Sequence, residues 1–158
     1  MRRTDARRRF VATAVALAAT PALSGRAAAQ SAPAPDGAAF EDARRAIVAG
    51  RVPRAGGIEI EMPALSENGN AVDLTVRVDS PMSVDDHVRA IHVLSPRNPS
   101  ALVASFRLTP RSGRAQVSTR IRLATTQRIL VLAETSAGAL LSAEREVIVV
   151  LGACVDGG

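Results

Sequence analysis

The sequence predicts an all-β protein, a β-sandwich of seven or eight strands with one N-terminal amphipathic helix. Short runs with a period of two recur through residues 58–151, at intervals of about ten residues. Turn-forming residues separate these runs, and one earlier stretch has the period of a helix instead. A small open barrel is the alternative arrangement of the same strands.

The helix is predicted over residues 38–49, between a proline-rich linker and Pro53, which prevents its continuation. Gly50 is expected to cap its C-terminal end. Because apolar residues recur at helical spacing, we expect one side of this helix to lie on the domain. The residues of that side are Phe40, Ala43, Ile47 and Val48.

Two runs, 72–78 and 116–123, show the alternation most clearly, with apolar residues at every second position. Such alternation is typical of strands with one buried and one solvated face. Asn68-Gly69, before the first of them, is a hairpin signal. The strand candidates are 58–61, 72–78, 88–94, 102–108, 116–123, 128–134, 139–143 and 145–151.

Residues 1–29 have the composition of an export signal, with a basic start, an alanine-rich apolar stretch and small residues before Gln30. Arg7 and Arg8, followed by Phe10, fit the twin-arginine pattern; a general secretory signal with additional arginines is the alternative. Residues 30–37 then form a linker. We therefore expect export to the periplasm through the twin-arginine pathway. No later segment approaches the roughly 20 apolar residues of a membrane span.

Removing the predicted signal also removes the apparent basicity of the chain. The full sequence has a net charge of +5, but residues 30–158 contain 14 arginines, no lysine and 14 carboxylates. Those residues include two aromatic side chains, Phe40 and Phe106, so base-stacking surfaces are nearly absent. Charge and composition both argue against nucleic-acid binding.

The one cysteine, Cys154, lies on a short C-terminal tail predicted over residues 152–158, directly after the last strand of the 38–151 domain. A buried cysteine that closes the strand is the alternative. A single cysteine in an exported protein indicates a reactive thiol or intermolecular pairing. Small neighbours favour a mobile tail, consisting besides the cysteine of Gly152, Ala153, Val155, Asp156, Gly157 and Gly158.

The remaining chemistry-bearing residues indicate neither a metal centre nor an enzyme. Two histidines, His87 and His92, with one cysteine do not supply the three or four ligands of a usual metal site. The pair Asp85-Asp86 fits a solvated turn better than an acid–base pair. No nucleophile elbow, phosphate-binding loop or dinucleotide fingerprint is present in the sequence. We expect no bound cofactor and no catalytic residue.

Several segments resemble SoxY, the sulfur-carrier subunit of the periplasmic thiosulfate-oxidising Sox system. The signal, the helix and the cysteine-bearing tail also occur in the order found in that family. The similar segments are residues 67–82, 88–93 and 106–123.

The resemblance implies an immunoglobulin-like sandwich that forms a heterodimer with SoxZ and is not itself catalytic. It also implies that Cys154 is the covalent attachment site for thiosulfate-derived sulfur. Haem-containing, hydrolytic and dehydrogenase enzymes of the Sox system would then dock transiently on this tail.

The tail departs from the usual family ending, Gly-Gly-Cys-Gly-Gly. Ala153 precedes the cysteine, and Val155-Asp156 separates it from the final glycines. Val155 is β-branched and stiffens the backbone, whereas the Asp156 carboxylate disfavours a thiolate and an anionic conjugate nearby. This departure is compatible with a related carrier in another periplasmic oxidation system, such as a quinoprotein dehydrogenase. An immunoglobulin-like binding module that does not use the thiol is a further alternative.

Overall fold

The computed structural model describes residues 37–153, which contain one α-helix and nine strands. A short 3-10 helix, Pro110–Ser112, precedes the seventh strand. The elements in chain order are α1 Gly37–Val48, β1 Arg54–Ala55, β2 Ile58–Glu61, β3 Leu65–Asn68, β4 Val72–Val78, β5 Val88–Leu94, β6 Leu102–Arg107, β7 Gln116–Ile121, β8 Gln127–Thr135 and β9 Leu140–Leu151.

The strands form two sheets that pack face to face. The larger sheet has six strands in the order β1-β9-β8-β5-β6, with β3 also paired to β9; the smaller one has the order β2-β4-β7. Pairing is antiparallel except where β1 and β3 run parallel to β9. The predicted all-β sandwich with one helix is therefore confirmed, with nine strands in the described range.

The core between the sheets follows from the period-two pattern. In β4, Val72, Leu74, Val76 and Val78 are buried, while Asp73 and Arg77 are exposed. Because successive side chains of a strand point to opposite faces, this alternation places one apolar row inside the sandwich. A continuous cluster of valine, leucine, isoleucine, alanine and methionine fills the interior.

The helix covers the outer face of the larger sheet, as its apolar stripe predicts. Phe40, Ala43, Ile47 and Val48 pack against a separate cluster of buried leucines. Arg51 then ties the helix end to β8, because its guanidinium donates to the Val48 carbonyl at 3.1 Å and to Glu134 at 2.9 Å. Cations stabilise helix C-termini, where carbonyl groups lack intrahelical partners. The leucines beneath the helix are Leu94, Leu130, Leu132 and Leu140.

The strand boundaries differ from the predictions at two places. Residues 139–143 and 145–151, predicted as two strands, belong to the single strand β9. Asn68-Gly69 does not close a hairpin, because β3 pairs with β9 and β4 pairs with β2 and β7. The turn instead carries the chain from the larger sheet to the smaller one. The short strands β1 and β3 were not among the predicted strands.

No helix in the described range is long and apolar enough to cross a membrane.

Candidate functional site

The end of β9 is held by a backbone clasp that joins three segments of the chain. The Gly69 N–H donates to the Leu151 carbonyl at 2.7 Å, and the Leu123 N–H donates to the Gly69 carbonyl at 2.8 Å. The Ala153 N–H donates to the Leu123 carbonyl at 2.9 Å. Ala153 is 5 % exposed. Backbone bonding to the domain therefore continues through Ala153, beyond residue 151, where the domain was predicted to end.

Two glycines permit this close approach of backbones. A Cβ on Gly69 would lie 2.2 Å from the Leu123 carbonyl oxygen and 2.8 Å from the Ala153 nitrogen. A Cβ on Gly152 would lie 2.1 Å from the Ala124 carbonyl oxygen. Both positions accept only a residue without a side chain, because these neighbours are backbone atoms. The glycine of the predicted turn thus serves to place the base of the tail.

A buried polar network supports the loop on which the tail base rests. The Asn98 side chain donates to the Arg122 carbonyl at 2.7 Å and accepts from the Ala124 N–H at 3.0 Å. Gln127 donates to the same Asn98 oxygen at 3.1 Å. Buried amide groups that are fully hydrogen-bonded hold one loop conformation, since an alternative leaves polar groups unpaired.

Exposed apolar side chains lie near the C-terminal end of β9. Leu65 of β3 lies opposite Ile148 of β9, and the two are 52 % and 50 % exposed. Val150 and Leu151 are also largely exposed. The last strand therefore presents an apolar surface just before the chain reaches the tail.

Several predicted site residues lie outside the described range. These include the predicted attachment residue Cys154 and the export-signal residues Arg7, Arg8 and Phe10. Of the predicted tail, Gly152 and Ala153 lie within the range, and both are in contact with the domain. The remaining tail residues outside the range are Val155, Asp156, Gly157 and Gly158.

A second polar cluster, which was not predicted, lies on the outer face near the opposite end of β8. The His92 Nε2–H donates to Glu134 Oε1 at 2.9 Å, and Ser105 Oγ lies 2.9 Å from His92 Nδ1. Burial raises the pKa of Glu134, but hydrogen bonds and charge from Arg51 and His92 outweigh burial and lower that pKa overall. The sequence offered no signal for this cluster because its members come from four distant segments.

The other polar residues behave as ordinary turn and surface groups. The Ser83 N–H donates to the Asp86 carbonyl at 2.8 Å, and the Asp86 N–H donates to Ser83 Oγ at 2.9 Å, which makes Asp85-Asp86 part of a local turn. Among residues 37–153, no three His, Cys, Asp or Glu side chains are grouped closely enough to hold a metal ion.

Comparison with known proteins shows the family to which most of the described chain is similar. The family described as sulfur oxidation protein SoxY matches residues 44–154. The structure is similar to that of the sulfur carrier protein SoxY from Chlorobium limicola f thiosulfatophilum, with 34 % identity and a TM-score of 0.58. That similarity covers 71 % of this chain and 96 % of the other. No curated protein matches the chain at a significant level.

Two more distant structures share the fold alone. A superoxide reductase (neelaredoxin) from Ignicoccus hospitalis is 18 % identical with a TM-score of 0.53, covering 60 % of this chain and 80 % of the other. A putative superoxide reductase from Thermotoga maritima is 18 % identical with a TM-score of 0.51, covering 63 % and 88 %. At this identity only the sandwich architecture carries over.

Proposed function

The chain belongs to the SoxY family of sulfur oxidation proteins, and we propose on that basis that it is a periplasmic sulfur carrier whose attachment atom is the Cys154 sulfur. The observation that carries the proposal is the extent of the family match, which ends at residue 154, the one cysteine of the sequence. A thiol is the side chain suited to holding sulfur through a reversible covalent bond.

The proposed cycle begins with the Cys154 thiolate and thiosulfate. An S–S bond forms between the cysteine sulfur and the outer sulfur of thiosulfate, and a haem enzyme accepts the two electrons that are released. Water then cleaves the bond to the terminal sulfonate group, so that sulfate and protons leave and a cysteine persulfide remains. A dehydrogenase then oxidises the outer persulfide sulfur to a sulfonate, with water as the source of oxygen, and accepts the electrons released. A second hydrolysis releases this sulfonate as sulfate and regenerates the Cys154 thiolate. In each step the partner enzyme performs the chemistry, while this chain holds the sulfur.

The clasp supports this proposal because it defines where a carrier arm would start. Gly69, Leu123 and Ala153 are joined by backbone hydrogen bonds, so the chain up to residue 153 is part of the domain. The five residues that follow could extend at most about 17 Å, at roughly 3.4 Å per residue. Cys154 is the first of them, so its Cα lies about 3.8 Å from that of Ala153, and an enzyme would meet the Cys154 sulfur at the edge of the domain.

Export and partner binding complete the proposal. The twin-arginine signal would carry the folded chain to the periplasm, together with SoxZ as a heterodimeric partner. Within the described residues, β6 pairs with β5 alone, and β2 and β7 form the two edges of the smaller sheet. Open strand edges are usually covered in native proteins, and these edges would be available to such a partner.

The test is turnover by the SoxYZ complex in a reconstituted Sox mixture supplied with thiosulfate. Cys154→Ser should abolish thiosulfate-dependent turnover and the mass increase that reductant removes, while thermal unfolding stays unchanged. Adding Ser100→Cys to that variant restores a thiol on an exposed loop of the domain, and this matched control should remain inactive.

Full activity of Cys154→Ser would refute the carrier proposal and favour a binding module that does not use the thiol. Conjugation at Cys154 without turnover by Sox enzymes would instead favour a carrier for another periplasmic oxidation system.

A further inference from the structure

A groove with a volume of about 480 Å³ opens on the outer face of the larger sheet. It lies beside the polar cluster of His92 and Glu134 and is lined by residues of β5, β6, β8 and their connections. Its lining includes His87, Arg89, His92, Ser105, Arg107 and Glu134.

Both oxygens of the one carboxylate in this lining already accept hydrogen bonds. Glu134 Oε2 accepts from Arg51 at 2.9 Å, and Glu134 Oε1 accepts from His92 at 2.9 Å. Its negative charge is therefore compensated from outside the groove by the Arg51 guanidinium. An anion in the groove would meet a carboxylate that is neutralised and fixed in position.

Two guanidinium groups in the lining, those of Arg89 and Arg107, have no carboxylate partner among residues 37–153. Among residues 37–153, no carboxylate lies within ion-pair distance of Arg89 or Arg107, and neither side chain donates a hydrogen bond. All ion pairs of that range involve other arginines or His92. The groove therefore carries two unpaired positive charges.

The backbone brings these two arginines to the same groove. Arg107 of β6 is paired with Ala90 of β5. Arg89 occupies a register shift between Val88 and Ala90 in the pairing of β5 with β8. A bulge of this kind re-aims a side chain that regular pairing would direct to the other face. The Leu108 N–H donates to the Arg89 carbonyl at 2.9 Å and fixes the position of the bulge.

Two lining residues carry polar groups without a full set of hydrogen-bond partners. The buried Nδ1 atom of His87 has no hydrogen-bond partner among the described residues. Ser105 Oγ is bonded to His92 and lies on the exposed side of β6, so its remaining hydrogen-bonding capacity faces solvent. Of these two groups, the exposed Ser105 hydroxyl is the one available to a ligand beside the two arginines, because the His87 nitrogen has almost no accessible surface.

We propose that this groove binds a small oxyanion of the sulfate class between Arg89 and Arg107. The planar fork of a guanidinium matches the spacing of two oxygens on such an anion, and two guanidinium groups would balance a double negative charge. The lining contains no Phe, Tyr or Trp side chain on which a nucleotide base would stack.

The groove is distinct from the tail. The clasp lies near the start of β8, at Gln127, whereas Glu134 lies seven positions further along the same strand. Seven positions correspond to about 23 Å, at roughly 3.3 Å per residue. This exceeds the maximal reach of the tail, so the proposed site acts independently of Cys154 and does not rest on the carrier function.

The test is calorimetric titration of the mature protein with sodium sulfate, with sodium chloride at equal ionic strength as the blank. Arg107→Gln and Arg89→Gln should each raise the Kd for sulfate by about tenfold or more, because each removes charged hydrogen bonds to the anion. Arg145→Gln, which removes an exposed arginine of β9 outside the groove, should leave the Kd unchanged.

Amide chemical shifts of residues 89–92 and 105–109 should change on adding sulfate in wild type and in Cys154→Ser alike. Absence of saturable sulfate binding, or equal weakening by Arg145→Gln, would overturn the proposal. If Arg107→Gln fails to fold, Arg107→Lys retains the charge without the fork and should still weaken binding; unchanged affinity in that folded variant would also overturn it.

Discussion

Replacing Gly69 with alanine tests whether the clasp is a tightly packed junction of backbones. The added Cβ would lie 2.2 Å from the Leu123 carbonyl oxygen, whereas real Cβ contacts essentially never fall below 3.0 Å. The backbone of β3 or of the 121–124 segment must therefore move by about 0.8 Å. Gly69 does not have a positive φ, so the effect is steric and not conformational.

The expected cost follows from the groups that must move. Overpacking of a well-packed site costs about 1–3 kcal/mol. Displacing the Leu123 carbonyl also weakens its bond from Ala153, which contributes about 0.5–1.5 kcal/mol. The free energy of unfolding should therefore fall by about 1.5–4.5 kcal/mol. Hydrogen exchange of the Ala153 amide should accelerate more than that of residues in β5.

The assay is urea unfolding monitored by circular dichroism, combined with amide hydrogen exchange. Gly37→Ala is the matched control, because its Cβ would meet no atom within 4 Å. That change at the helix start should alter stability by less than about 1 kcal/mol. A Gly69→Ala protein as stable as Gly37→Ala, with the Ala153 amide equally protected, would refute the close-packed clasp.

The helix and the polar cluster give two more predictions. Leu132→Ala should lower the free energy of unfolding by about 2–5 kcal/mol, because Leu132 is 1 % exposed beneath the helix. Leu102→Ala is the control and should lower it less, because the Leu102 side chain is 40 % exposed. Equal losses of stability in the two variants would contradict the packing of the helix on Leu132. The lowered pKa of Glu134 means that its contribution to stability is complete above its ordinary value of 4.5 and is lost as pH falls through the folded value. Glu134→Gln should therefore reduce stability at pH 7 and flatten its decline between pH 5 and pH 3; an unchanged decline would show that the interactions of Glu134 contribute nothing.

Much of the fold was predictable because local periodicity reports burial directly. The alternation in 72–78 identified both the strand and its buried face, and the helical spacing of Phe40, Ala43 and Ile47 identified the side that packs on the sheet. Which strands pair with each other was harder to predict from the sequence. Asn68-Gly69 has the composition of a hairpin turn, but Gly69 is needed where Leu123 and Ala153 approach, and that contact depends on segments far away in the chain.

The sequence by itself determined the sandwich class, the amphipathic helix and the position of the cysteine beyond the last strand, because these depend on residue type and short-range spacing. Tertiary structure alone decided the parallel pairing of β3 with β9, the clasp that ends at Ala153, and the meeting of Arg51, His92 and Glu134. Those features depend on which strand edges meet and in which register. Local periodicity does not encode either choice, because the same alternating pattern is compatible with several partners and registers.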